Sequence, residues 1–222
     1  MKKGSVFTII GLLLIAAALC LTIYNVLDSR RAGESADSVL AELDITPVTQ
    51  TTPAPLPSIA PVEPDAPALP DEPAAPTEPV KYPDYVLWPR MDMPVKTVDG
   101  RDYIGVLAIP PLSLELPVTG DWTYVYLKDT PCRYAGSAYL DDMVIVAHNY
   151  DRHFGRLKNL YPGASVTFTD VDGNGFMYEV AEIETLAYDA IEEAVGSGYD
   201  LTLITCTVGG RSRVAVRCER IK

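Results

Sequence analysis

Histidine occurs only twice in the 222 residues, as His148 and His153, and the four cysteines, at 20, 132, 206 and 218, never form a CxxC pair. Zinc modules draw on closely spaced Cys and His ligands, so the spacing argues against a structural metal. The two histidines stand five apart, which suits neither one face of a strand nor an i, i+4 pair on a helix. Basic charge is also short. Eighteen Lys and Arg against 30 Asp and Glu give a formal net charge of −12 and an acidic chain with no basic patch. Such a surface repels phosphate backbones, so no nucleic acid partner is expected. No internal repeat is apparent, and the length suits one folded unit plus accessory segments.

What is present is unevenly distributed. Residues 5–27, SVFTIIGLLLIAAALCLTIYNVL, carry no charge and are flanked by Lys2 and Lys3 on one side and by Asp28, Ser29, Arg30 and Arg31 on the other. The run is long enough to cross a bilayer, which takes about 20 residues. A cleaved signal peptide has a shorter apolar region followed by small residues; here Ala16 to Ala18 lie in mid-run, so an uncleaved anchor over residues 1–30 is expected. Leu19 precedes Cys20 where lipoprotein processing favours a small residue, which leaves Cys20 a packed side chain in a membrane helix. Two basic residues on each flank do not fix the orientation by charge.

Beyond the anchor, residues 31–95 read as an acidic, proline-rich, extended linker. Prolines recur at nearly every third position from Pro61 to Pro79, and such a segment favours polyproline II over any packed core. Some 45 residues of it could reach on the order of 140 Å, the dimension of a stalk. PxxP spacing within it follows from composition alone.

Residues 96–222 read as a compact β-rich domain. Short apolar runs, among them YIGVLAI, LSLELPV, MVIVAHNY, ASVTFTD, LTLITCTV and RVAVRCERI, alternate with turn signals such as Asp172-Gly173-Asn174-Gly175 and Gly209-Gly210. That rhythm predicts a barrel or sandwich, with brief helices at 154–160 and 190–195.

Chemistry concentrates at the ends of three of these runs. His148 closes MVIVAH, Cys206 closes TLITC, and Arg213 opens RVAVRC after a tight connection of six residues. Taken singly, each has a plainer reading: a polar strand end, a small buried cysteine, a surface arginine. Taken together they supply what acyl transfer requires. A thiol with a pKa of about 8.5 needs a base or cation beside it to become a nucleophile. The tetrahedral intermediate then needs donors for its oxyanion, which a fixed guanidinium and backbone N–H groups provide.

Thr202-Leu203-Ile204-Thr205-Cys206 resembles the TLxTC signature of sortases, the cysteine transpeptidases of Gram-positive bacteria, and an arginine follows at the start of the final strand as in that family. The resemblance extends over the domain: YIGVLAIPPLSLELPV is similar to the opening strands, RYAGSAYLDDMVIVAHNY to the histidine segment and RVAVRCERI to the last strand. It implies an eight-stranded β-barrel with short helices, with His148 as acid/base, Cys206 as nucleophile and Arg213 as the residue that positions substrate and stabilises the oxyanion. Ala147 stands where the family pattern has glycine before the histidine. Arg211, in the glycine turn, and Arg217, on the face of Arg213, remain alternatives for the third role.

The resemblance further implies a single-pass membrane enzyme with an extracellular catalytic domain. It would cleave an LPxTG-like sorting signal through a thioacyl intermediate and pass the protein to a peptidoglycan-precursor or pilin amine. No cofactor is implied; calcium activation stays open, with Asp141, Asp142, Glu192 and Glu193 as acidic pairs in loops. Cys132 and Cys218 are expected to be reduced, and the segment 185–199 to shape substrate choice. A hydrolytic cysteine peptidase and a tethered binding domain with an inactive site remain the other readings. The chain itself contains LPVTG at Leu116–Gly120. A sorting signal works near a C-terminus, so this match reads as a strand of the enzyme.

Overall fold

The computed structural model describes residues 3–45 and 82–221. Its centre is a ring of strands: β1 Lys96–Val98, β2 Arg101–Ile109, β3 Leu114–Thr119, β4 Cys132–Ala135, β5 Met143–Val146, β6 Ser165–Asp170, β7 Gly175–Ala187, β8 Leu201–Cys206 and β9 Ser212–Arg220. They are hydrogen-bonded in the order β1-β2-β3-β4-β5-β8-β9-β7-β6, and β2 also pairs with β6. That last pairing closes β2 to β9 into an eight-stranded barrel, with β1 appended to β2 through a hairpin. The hairpin turn, Asp99-Gly100, holds positive φ at both residues (48° and 73°), the geometry that a tight two-residue turn requires.

Period-two alternation fills the barrel. Leu107, Ile109, Leu116, Val118, Met143, Ile145, Val166, Phe168, Leu201, Leu203, Val214 and Val216 turn inward into one cluster. A second cluster lies outside the ring, where Val144, Val146, Ile204 and Ala215 are covered by Tyr126 and Leu127 of the β3–β4 connection, Tyr134 of β4 and Ile191 of the β7–β8 connection. The LPVTG segment is part of this framework: Leu116 to Thr119 belong to β3, with Leu116, Val118 and Thr119 buried. The helices expected at 154–160 and 190–195 are 3₁₀ turns, Phe154–Asn159 and Ala190–Ala194.

The N-terminal helix α1 runs from Lys3 to Leu43, past the expected anchor boundary at residue 30. Ala32, Ala36, Val39 and Leu43 recur at helical spacing, and all four are buried. Val39 and Leu43 pack with Val98, Tyr103 and Val106, while Ala36 joins the barrel core. Lys96 Nζ donates to the carbonyls of Glu42 (3.0 Å) and Leu43 (2.7 Å), satisfying the helix end and its dipole. Residues 31–43 therefore belong to a docked helix, where the sequence alone suggests the start of a linker. The proline-rich stretch at 46–81 lies outside the described residues. A single turn, α2 (Asp84–Leu87), then places Tyr85 flat against Tyr139, ring centroids 4.7 Å apart.

Candidate active site

The registers of β5, β8 and β9 dictate where the three strand-end residues meet. Val146 stands beside Ile204 in the parallel β5–β8 pair, Ile204 faces Ala215 and Cys206 faces Arg213 in the antiparallel β8–β9 pair. Val146, Ile204 and Ala215 all point to the outer cluster, so two residues further on, His148, Cys206 and Arg213 point the same way. They form one row across three adjacent strands, at an inter-strand spacing of about 4.8 Å. All three line one cleft of about 340 Å³, floored by Val146 and Ile204 and walled by Trp122, Leu127, Tyr134 and Ile191.

Hydrogen bonds hold the ends of the strands in this alignment. Ala147 N–H donates to the Ile204 carbonyl at 3.1 Å, and the buried Thr205 hydroxyl donates to the Ala147 carbonyl at 2.9 Å. These bonds carry β5 one step beyond its last ladder pair and fix the backbone that presents His148. The connection from Cys206 to Arg213 is clamped by Thr207 N–H on the Ser212 carbonyl (3.0 Å) and Gly210 N–H on the Thr207 carbonyl (2.8 Å). Gly209 and Gly210 both take positive φ there (85° and 70°), which explains the glycine pair. Asn149 Nδ2 reaches the Thr207 carbonyl at 3.4 Å and ties the histidine loop to the cysteine loop.

The His148 ring is tilted against Tyr150, centroids 5.1 Å apart, and the Tyr150 hydroxyl donates to the Asp28 carboxylate of α1. Burial lowers the His148 pKa from its usual value; Asp28 opposes this and Lys128 adds to it. The neutral imidazole that results is a base able to accept a proton. Cys206 is half-buried. The Arg213 guanidinium donates to the carbonyls of Gly210 and Ser212, both at 3.2 Å, which anchors one nitrogen and leaves the rest of the fork for a ligand.

The other arginines lie elsewhere. Arg211 is exposed in the turn. Arg217 is two rungs down the same face of β9, 4% exposed, with Nε 2.6 Å from Glu184 and a second nitrogen donating to Ser197 and Thr202. Of the three candidates, Arg213 is the one in the cleft. His153 is fully buried beneath α1, its pKa lowered to about 4 by burial, with the Ala32 backbone as the main opposing influence. Among the described residues its ring nitrogens make no hydrogen bond of full geometry, so the Ala32 backbone offsets the burial only in part. Of the acidic pairs considered for calcium, Asp141 pairs with Arg220 at 2.7 Å, Asp142 accepts from Ser137 N–H, and Glu192 accepts from the Tyr134 hydroxyl. Among the described residues no group of three or more metal-ligating side chains converges. Cys20, Cys132, Cys206 and Cys218 are all free thiols.

Two features of the cleft escaped the sequence reading. Asp28 and Tyr150, which surround His148, are 122 residues apart and meet only because α1 docks. The aromatic wall of Trp122, Tyr124 and Tyr134 had a visible signal in the DWTYVY segment just before the β4 run, which supplies the first two, and in Tyr134 of that run.

A family model described as Sortase domain matches residues 107–221. Solved structures similar to this chain include Group B Streptococcus pilus island 1 sortase C2, at 25% identity and TM-score 0.50, covering 57% of this chain and 77% of that one. Sortase C1 of GBS pilus island 1 is 25% identical, TM-score 0.48, over 54% of this chain and 64% of that one. Sortase A from Corynebacterium diphtheriae is 24% identical, TM-score 0.48, over 55% and 62%. The chain thus spans just under two thirds of the length of the last two. A search of curated protein sequences finds no match.

Proposed function

Since the chain belongs to the sortase family, we propose that it is a membrane-anchored cysteine transpeptidase in which Cys206, His148 and Arg213 carry the reaction. The observation that supports this most is the single row those residues form across β5, β8 and β9 at the mouth of an apolar cleft. In this reading His148 accepts the Cys206 proton as the sulfur attacks the threonine carbonyl of an LPxTG-like signal. Arg213, held by the Gly210 and Ser212 carbonyls, donates to the oxyanion that forms. Collapse of the tetrahedral intermediate breaks the Thr–Gly amide, and His148 delivers its proton to the departing amine. The thioacyl enzyme keeps the acyl group activated until a second amine attacks it. That amine loses a proton to His148, a new amide forms, and the proton returns to the Cys206 sulfur. The apolar floor of Val146 and Ile204 suits the leucine and proline of such a signal.

The substrates are then surface proteins bearing a sorting signal, the acceptor is a peptidoglycan-precursor or pilin amine, and no cofactor enters the steps. Anchoring rests on the window of α1 with mean hydropathy 2.8, none of which is buried in the protein. Ten large apolar side chains of α1, including Leu12, Leu13, Leu14 and Ile15, are more than half exposed, a surface that lipid accommodates. The catalytic domain lies outside the cell, where such substrates emerge. The test is product analysis: the full chain in detergent micelles is given LPxTG-type peptides with and without triglycine. Transpeptidation yields a triglycine-ligated peptide at the expense of free acid. Free acid alone, at any triglycine concentration, would identify a hydrolase and overturn the proposal.

A further inference from the structure

The distribution of apolar side chains around the cleft carries an inference that rests on the anchoring just proposed. Four connections emerge at the same end of the barrel, because Cys132 faces Val146, Cys206 faces Arg213 and Leu186 faces Arg213. They are the segments 120–131, 147–153, 188–200 and 207–211. Large apolar side chains stand exposed on them: Tyr124 at 75%, Val125 at 64%, Tyr188 at 62% and Val208 at 89%. Trp122, which with Tyr124 walls the cleft, is 38% exposed and meets the Tyr124 ring edge-on at 5.4 Å.

The position of this end along α1 is fixed by contacts. Asn149, Tyr150 and Arg152 enclose a hollow with Thr22, Asn25 and Val26. Val125 and Lys128 enclose another with Asp28 and Arg31. A hydrocarbon layer of about 30 Å takes about 20 helical residues at 1.5 Å each, so an apolar run that starts near Val6 leaves that layer at about Asn25. Asp28 and Arg31 then lie among the headgroups, and the loop beside them lies at the same depth. The barrel cannot ride higher, since the same helix is packed against it as far as Leu43. Height above the membrane is thus set by α1 itself, before the proline-rich stretch begins.

We propose that the cleft end of the barrel rests in the headgroup layer of the membrane that holds α1, with Trp122, Tyr124 and Val125 of the β3–β4 connection reaching into the lipid interface. Tryptophan and tyrosine favour that layer because each joins an apolar ring to a polar handle, and Lys128 in the same connection suits anionic headgroups. A chain of net charge −12 gains nothing from approaching such a membrane by charge alone, so the apolar side chains supply the attraction. The cleft then opens along the plane in which membrane-bound substrates move.

The experiment uses the full chain carrying Trp88→Phe, which leaves Trp122 as its single tryptophan. It is reconstituted in phosphatidylcholine/phosphatidylglycerol vesicles with plain or dibrominated acyl chains, and flotation is measured on the same samples. The inference predicts Trp122 emission shifted to the blue and quenched severalfold by brominated lipid, with the quench reduced by Val125→Asp. Flotation without quenching overturns it while leaving the anchoring intact. Failure to float removes the anchoring and the inference together. Emission that responds to an LPxTG-type peptide but not to brominated lipid assigns the aromatic wall to the peptide alone, which also overturns it.

Discussion

Arg213 and Arg217 share a face of β9 four residues apart, yet their surroundings predict opposite consequences of removing them. The Arg217 side chain is 4% exposed; it holds Glu184 at 2.6 Å, donates to Ser197 at 3.1 Å and Thr202 at 3.3 Å, and lies 5.6 Å from the Tyr199 ring. Breaking a fully buried ion pair costs about 3–5 kcal/mol through the charge left behind. Glu184 is 33% exposed, so water recovers part of that, and Arg217→Ala should cost about 2–3 kcal/mol. For a barrel of this size that lowers Tm by roughly 10 °C. Arg217→Lys, which keeps the charge but not the planar fork, should recover part of the loss. Arg213 makes only two carbonyl contacts at the cleft rim. Its replacement by Ala should change stability by less than about 0.5 kcal/mol and lower kcat by roughly 100- to 1,000-fold, the effect of removing one oxyanion donor. Thermal unfolding and peptide turnover on the same preparations separate the two residues. An Arg217→Ala protein as stable as wild type, or an Arg213→Ala protein that unfolds early, would refute the assignment.

Further perturbations test the packing around the row. His153 is neutral when buried and its pKa is lowered to about 4, so between pH 6.5 and 4 the unfolded chain binds a proton that the folded chain does not. Stability therefore falls as pH drops through that window, by about 3 kcal/mol in all. His148 titrates in the same direction, so the comparison is with His153→Leu, whose urea unfolding should lose that part of the acid sensitivity. Thr205→Val keeps the shape but removes the bond to the Ala147 carbonyl. It should cost about 1–2 kcal/mol in chemical denaturation and reduce kcat with little change in KM, because His148 loses its alignment with Cys206. Gly155→Ala would put a Cβ 2.5 Å from the Asn149 carbonyl oxygen and 2.7 Å from that of Tyr150. Overpacking against backbone should destabilise the histidine loop by about 1–3 kcal/mol, visible as faster amide exchange at 149–155.

The barrel was legible because each of its strands is a short apolar run between turn signals: in LTLITC and RVAVRC one parity faces the barrel core and the other its covered outer face, and that second parity puts Cys206 and Arg213 together. His148 followed from the same rule once β5 was placed beside β8. The docked part of α1 was not legible. Between Asp28 and Glu42 nine charged and serine residues outnumber the five apolar ones, and a stripe as sparse as Ala32, Ala36, Val39 and Leu43 becomes a packing face only when a partner surface is known. The choice between Arg213 and Arg217 had the same character, since both lie on one face and only the Glu184 contact, 33 residues away, separates structural from chemical use. Asp28 met Tyr150 for no reason that local sequence records. Such pairings depend on which surfaces the fold brings together, and the wall of the cleft and its height along α1 are of that kind.

Intact-mass analysis of the full chain mixed with LPxTG-type peptides in the absence of an added amine tests the central claim most directly. An adduct with the mass of the peptide's acyl portion, mapped to Cys206 and absent from Cys206→Ala, is the predicted result. Amine-ligated product formed by Cys206→Ala at the wild-type rate would contradict it.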